Sequence, residues 1–310
     1  MSIFDSSSRG TTWAGRDWLA FATISTLLLA APATCADPVT RIGFRLSPEG
    51  RMEISVLVDG APGVFTVDTA AEWSAIGPRL ASLLDHPEDT VRSRQFVNDV
   101  SIGLGGIALR HQRLALLSSN DSTSPAVADG VIGADLIGRF VPEIDFDTRK
   151  LSFWTPSIFR SRGYSAVPLE REGWLAYINV SLRVADEPSP IRARFALGSG
   201  LATDVVLGYT FASDHRLLDR EQRAIRDTIA VAQQSAEAIR LPGISIGLGR
   251  WVIDGAEGWA LREPALRGLL GEADGLIGLG ILRRFNLAID YSRNTLYLRP
   301  SRAYSGLRKF

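Results

Sequence analysis

The chain has 310 residues, 45% of them hydrophobic, with 34 basic and 34 acidic side chains and a formal net charge of zero. That length and apolar content suffice for two domains with substantial cores. Balanced charge without long runs of one sign excludes the basic footprint of a nucleic-acid binder, and a single cysteine, Cys35, excludes an intrachain disulfide.

In chain order, the first element is a leader. Arg9 and Arg16 precede an apolar run from Trp18 to Ala33 that ends in small residues, ahead of Asp37-Pro38. This reads as a secretory signal over residues 1–36, cleaved near Ala33 or Ala36 and too short for a comfortable membrane span; an uncleaved signal anchor is the alternative. The expectation is an exported protein, periplasmic or secreted, with no membrane span in the mature chain. Beyond the leader, short apolar runs of period two bounded by glycine predict strands at Glu53–Val58, Phe65–Val67, Leu151–Trp154, Tyr177–Val184 and Thr295–Leu298. Short helices are expected at Pro78–Leu84, with the proline at its start, and at Asp135–Phe140 and Gly280–Phe285. A further helix is predicted from Arg216 to about Thr228. Pro156, Gly163 and Pro168 mark a linker over Thr155–Pro168.

A repeat organises these elements. Ser101-Ile102-Gly103-Leu104-Gly105 returns 144 residues later as Ser245-Ile246-Gly247-Leu248-Gly249, and Asp129-Gly130-Val131-Ile132-Gly133 returns 145 later as Asp274-Gly275-Leu276-Ile277-Gly278. Arg139-Phe140 and Ile144-Asp145 return in the same register as Arg284-Phe285 and Ile289-Asp290. Phe65-Thr66-Val67-Asp68-Thr69-Ala70 returns 130 later as Phe195-Ala196-Leu197-Gly198-Ser199-Gly200, so the second half carries extra residues between its turn and its Ser-Ile-Gly-Leu-Gly. Ordered matches in one register imply a duplicated unit. Two β-rich lobes are therefore predicted, at residues 40–157 and 165–305, related by a pseudo-twofold axis.

Each half resembles a retropepsin-type aspartic peptidase unit, and the whole is similar to two-lobed bacterial relatives of that family. FTVDTAAEWSAI carries the family's apolar-apolar-Asp-Thr turn, GVIG its apolar-apolar-Gly element, and FALGSGLATDVVL and GLIG follow in the same order in the second half. RFVPEIDFDTRKLSFW and RFNLAIDYSRNTLYLRP resemble the closing segment. The resemblance implies a mostly β fold of two acid-protease-type barrel lobes with few short helices, no cofactor, and an extended peptide or protein as substrate or ligand in an interlobe cleft of a monomer.

Family chemistry uses two aspartates that share a proton, one activating water and the other polarising the scissile carbonyl. The resemblance assigns Asp68 and Thr69 to the first-lobe motif, with Ala70 where glycine is usual. It assigns Gly198, Ser199 and Gly200 to the second, with Gly198 in the place of the second aspartate. Without that like-charged neighbour, Asp68 is expected to return toward an ordinary aspartate pKa of about 3.9, modified by burial. Asp204, Glu72 and Asp129 read as strand, surface or turn residues rather than substitutes, and Gly133 and Gly278 as close-packing glycines. Gly103 to Gly106 and Gly247 to Gly249 read as hairpin turns rather than nucleotide loops. His86, His111 and His215 lack metal-ligand spacing, and Ser199 lacks both a nucleophile elbow and a histidine partner. Three functions remain: a peptidase homologue with lost or weak proteolysis that binds polypeptide, an active aspartic endopeptidase that completes Asp68 with an unrecognised partner, and a structural envelope scaffold.

Overall fold

A computed structural model describes residues 37–91, 94–117, 129–184, 189–219, 225–231, 234–262 and 272–304. The predicted leader and Cys35 lie outside the described residues. The fold is mostly β, with two closed six-strand barrels and, among the described residues, four short helices.

The first barrel runs, strand beside strand, through Met52–Val58, Ala61–Val67, Gly130–Ile132, Ala75–Ile76, Ile107–Leu116 and Arg94–Leu104. It closes where Leu57 and Val58 pair with Gly103 and Ile102. Alternation explains the wall: Ile54, Val56 and Val58 are buried, whereas Ser55 and Leu57 face outward. A β-strand sends successive side chains to opposite faces, and each fully buried aliphatic residue contributes roughly 1.5–3 kcal/mol. The second barrel repeats the order with Leu175–Arg183, Ile191–Leu197, Gly275–Ile277, Val205–Leu207, Trp251–Leu261 and Gln234–Leu248. Its closure pairs Ser181 and Leu182 with Gly247 and Ile246. The two Gly-Leu-Gly stretches are hairpin turns, as expected, with Gly105 and Gly249 at φ +58° and +57°, a conformation glycine adopts without penalty.

A third sheet joins the halves. Its order is Thr40–Gly43, Lys150–Trp154, Val141–Asp145, Phe285–Asp290, Thr295–Pro300 and Ser165–Pro168. At its centre Glu143 and Ile144 pair antiparallel with Ala288 and Leu287, so equivalent strands of the two repeats meet there. Asn286 secures the joint: its carbonyl accepts the Phe146 N–H at 2.8 Å and its amide donates to Asp147 at 2.7 Å. The predicted linker therefore ends in a strand of this sheet. A single buried cluster runs through both barrels and the joining sheet, with Met52, Phe65, Phe153, Phe195, Phe285 and Tyr291 among its largest side chains.

One predicted helix is corrected. The helix expected from Arg216 to Thr228 fails at its ends, where Arg216 turns with φ +53° after the helix Tyr209–Asp214 and Arg226–Thr228 lie in the strand Arg226–Val231; residues 220–224 of that expectation lie outside the described residues. Arg226–Val231 pairs with Gln234–Leu248 in a long hairpin, the counterpart of Glu88–Val91 with Arg94–Leu104. The long strand of the second hairpin has 15 residues against 11 in the first, which accommodates part of the second half's excess. Cross-strand pairing outweighed the weak helical pattern of a charged stretch.

Gly133 and Gly278 stand where chain segments cross closely. A Cβ on Gly278 would lie 2.0 Å from the Thr203 carbonyl oxygen, and one on Gly133 2.7 Å from that of Ala71. Gly278→Ala is accordingly expected to lower unfolding free energy by about 3 kcal/mol or more, as read by urea denaturation; a loss under about 1 kcal/mol would contradict this packing role.

Candidate functional site

The first-lobe turn is aimed by pairing on both sides. Phe65, Thr66 and Val67 run parallel to Gly130, Val131 and Ile132, and the Asp68 N–H donates to the Ile132 carbonyl at 3.0 Å. The turn then closes with Ala71 N–H donating to the Asp68 carbonyl at 3.2 Å. The second turn reproduces this geometry. Phe195, Ala196 and Leu197 run parallel to Gly275, Leu276 and Ile277, Gly198 N–H donates to Ile277 at 2.9 Å, and Leu201 N–H donates to Gly198 at 3.2 Å. Gly198 thus stands at the place in the second lobe that Asp68 holds in the first.

Thr69 and Ser199 lock the turns together. The Thr69 hydroxyl donates to the Leu197 carbonyl at 2.6 Å and accepts the Ser199 N–H at 3.2 Å. Reciprocally, the Ser199 hydroxyl donates to the Val67 carbonyl at 2.8 Å and accepts the Thr69 N–H at 3.1 Å. Both residues are buried, at 1% and 0% exposure. With its oxygen committed twice, Ser199 is a structural link. None of the histidines contacts it: His86 pairs with Asp59, His111 with Asp99, and His215 packs on Phe211.

The interlock carries Asp68 across the lobe boundary. Its Oδ1 accepts N–H bonds from Ala70 at 2.9 Å and from Gly200 of the other lobe at 3.1 Å. A Cβ on Gly200 would lie 2.4 Å from both the carboxyl carbon and Oδ2 of Asp68, so only glycine fits beneath this carboxylate. Protein surrounds the Asp68 carboxyl closely, although the residue as a whole is only partly buried. That close surround governs its protonation: burial raises the Asp68 pKa, against the lowering effect of the two N–H donors, and no neighbouring charge contributes. The modification by burial that the sequence reading allowed for is thus an upward one, because desolvation disfavours the charged carboxylate.

The other carboxylates are occupied elsewhere. Asp204 accepts from Arg284 at 3.1 Å and from the Glu257 N–H at 2.9 Å. Asp129 accepts from Arg79 at 2.7 Å and from the Val64 N–H at 2.9 Å, and Glu72 is exposed. One residue escaped the sequence reading. Tyr291 is 2% exposed, and its hydroxyl has no hydrogen-bond partner among the described residues. Burial raises its pKa, Arg171 opposes the rise, and the charge of Asp68 adds to it, so the phenol lies within the field of this carboxylate. The equivalent residue of the first half is Phe146, an aromatic without a hydroxyl, so the repeat pattern gave no signal. Among the described residues no group of three or more His, Cys, Asp or Glu is placed to hold a metal ion.

The fold is similar to the crystal structure of an aspartic proteinase from Irpex lacteus, with a TM-score of 0.53, 13% identity, and coverage of 86% of this chain and 98% of that one. No family model and no curated protein matches the sequence.

Two outcomes follow from the geometry. Thr69→Val and Ser199→Ala each remove a hydroxyl that serves one buried acceptor and one buried donor, so each is expected to cost about 1–3 kcal/mol. The double variant should cost less than the sum, because each loss orphans the same network; strict additivity in denaturant titrations would contradict the interlock. For Asp68, a raised folded-state pKa means that stability falls as pH rises from the ordinary carboxylate value through the folded one, and stays reduced above it. Asp68→Asn should therefore stabilise the protein by on the order of 1 kcal/mol at about pH 7, with the gain vanishing at about pH 3. An equal gain at both pH values would contradict the burial account.

Proposed function

We propose that this chain is an aspartic-peptidase-like protein that binds an extended polypeptide between its lobes and hydrolyses it weakly or not at all. The observation that carries this reading is Gly198, which reproduces the backbone hydrogen bonds of Asp68 without supplying a second carboxylate. The duplicated barrels, the Thr69–Ser199 interlock and the similarity of fold to an aspartic proteinase support it.

A lone carboxylate still orients a water or accepts a ligand N–H, and the Oδ1 atom of Asp68 is already held by two backbone donors. What the site lacks is the acid that would assist the carbonyl as the tetrahedral centre forms. Loss of such a group lowers the rate by about 10²–10⁴. Binding is less affected, because an extended peptide is held mainly by main-chain hydrogen bonds and side-chain pockets. The leader motif adds an exported location, periplasmic or secreted, to this proposal.

Fluorescence anisotropy with a labelled unstructured polypeptide, together with mass spectrometry of the same mixtures from about pH 3 to pH 7, where a shared-proton dyad would act, tests the reading. Saturable binding is expected, weakened at least about tenfold, roughly the 1.4 kcal/mol of one lost polar contact, by Asp68→Ala, with no cleavage or only slow cleavage. Rapid cleavage abolished by Asp68→Asn would identify an active endopeptidase instead. Absence of binding would favour a scaffold.

A further inference from the structure

The two halves of the site differ at a second position besides 198, and the two differences touch. In the half that keeps its carboxylate, Asp68 lies over Gly200; in the other half, Gly198 faces Ala70. A Cβ built on Gly198 would lie 3.5 Å from the Ala70 methyl and 3.6 Å from Leu276, both ordinary contacts. A carboxyl group beyond that Cβ is a different matter. In the intact half, the Asp68 carboxyl carbon lies only 2.4 Å from where a Cβ on residue 200 would be. The second half is the wider of the two, with 3.5 Å between the Cβ built on Gly198 and the Ala70 methyl against 2.8 Å between Asp68 Cβ and the Cβ built on Gly200. An aspartate at 198 in the same conformation would therefore bring its carboxyl group less tightly onto the Ala70 methyl, though still inside contact distance. The methyl is also integrated in its surroundings, packed against the second-lobe cluster of Ala196, Leu201, Val206 and Leu276. Both turn amides have converged as well: Ala70 N–H and Gly200 N–H donate to the one Oδ1 of Asp68, leaving neither free for a second carboxylate.

We infer that Ala70 and Gly198 are a matched pair, in which the Ala70 methyl fills the volume of the second carboxylate so that position 198 accepts an acidic side chain only when position 70 becomes glycine. This rests on the reading of position 198 as a vacated carboxylate site. Ala70 thereby becomes the residue that makes the site one-sided, with a carboxylate on the first-lobe side and an apolar plug on the other. Conversion to a two-carboxylate site takes two substitutions rather than one.

A steric cycle tests the pairing without any ligand, so its outcome is independent of whether polypeptide binds. Thermal unfolding is measured for the wild type, Gly198→Ala, Gly198→Asn, Ala70→Gly, and Ala70→Gly combined with Gly198→Asn; asparagine has the shape of aspartate without its charge. Gly198→Ala is expected to melt within about 2 °C of the wild type, since its methyl meets only ordinary contacts. Gly198→Asn should lose about 5 °C or more, or fail to fold, and the Ala70→Gly combination should recover at least half of that loss. Wild-type stability of Gly198→Asn alone would overturn the inference, and so would a combined variant no more stable than Gly198→Asn or the sum of the single changes.

Discussion

Four hydrogen bonds made by Thr69 and Ser199, two between them and two to the Leu197 and Val67 carbonyls, fix where everything else in the site can lie. Each hydroxyl donates to the strand carbonyl that precedes the opposite turn and accepts that turn's N–H. Neither turn can shift along its strand without breaking both hydroxyl contacts, and in a buried setting each orphaned polar group is costly. The interlock brings the Gly200 amide to Asp68 and the Ala70 methyl to Gly198, so one lobe's turn completes the surroundings of the other's. The joining sheet, centred on Val141–Asp145 and Phe285–Asp290, ties the two halves together at a second place.

The duplicated lobes distribute their carboxylates in opposite ways. In the first lobe Asp135, on the helix Ala134–Ile137, accepts from the Ser74 hydroxyl at 2.6 Å and its N–H at 2.8 Å. In the second lobe the equivalent positions are exchanged: Asp204 replaces the serine, and Gly280 replaces the aspartate. A Cβ on Gly280 would lie 2.0 Å from Asp204 Oδ1, so glycine is what lets the acid stand there. Asp68 over Gly200, set against Gly198 facing Ala70, follows the same rule of one large group and one vacancy per contact. At Asp204 a carboxylate stands on the opposite side of the contact from its first-lobe counterpart; at Gly198 there is none, and the Ala70 methyl faces the glycine.

Much of this fold was legible because the constraints that create it are local. Hairpin turns need glycine at positive φ, crossing segments need glycine at Gly133 and Gly278, and barrel walls need alternation, so the repeat was written in those residues. The four hydrogen bonds of Thr69 and Ser199 could be expected only through the family resemblance, since the two residues lie 130 positions apart. The stretch after Arg216 misled because its charged pattern is compatible with a helix, and only the hairpin partner Gln234–Leu248 decides otherwise. The upward displacement of the Asp68 pKa, the Tyr291 hydroxyl without a partner among the described residues and the closeness of positions 70 and 198 all depend on what lies across space, which sequence spacing does not encode.

Asp68 is a single carboxylate held in a frame duplicated around two turns. Following its carboxyl carbon by NMR in a selectively labelled protein tests this directly. One proton lost in a single step is expected, with a midpoint above the ordinary aspartate value of about 3.9. Two separated steps, the behaviour of a coupled pair, or a midpoint at or below the ordinary value, would contradict it.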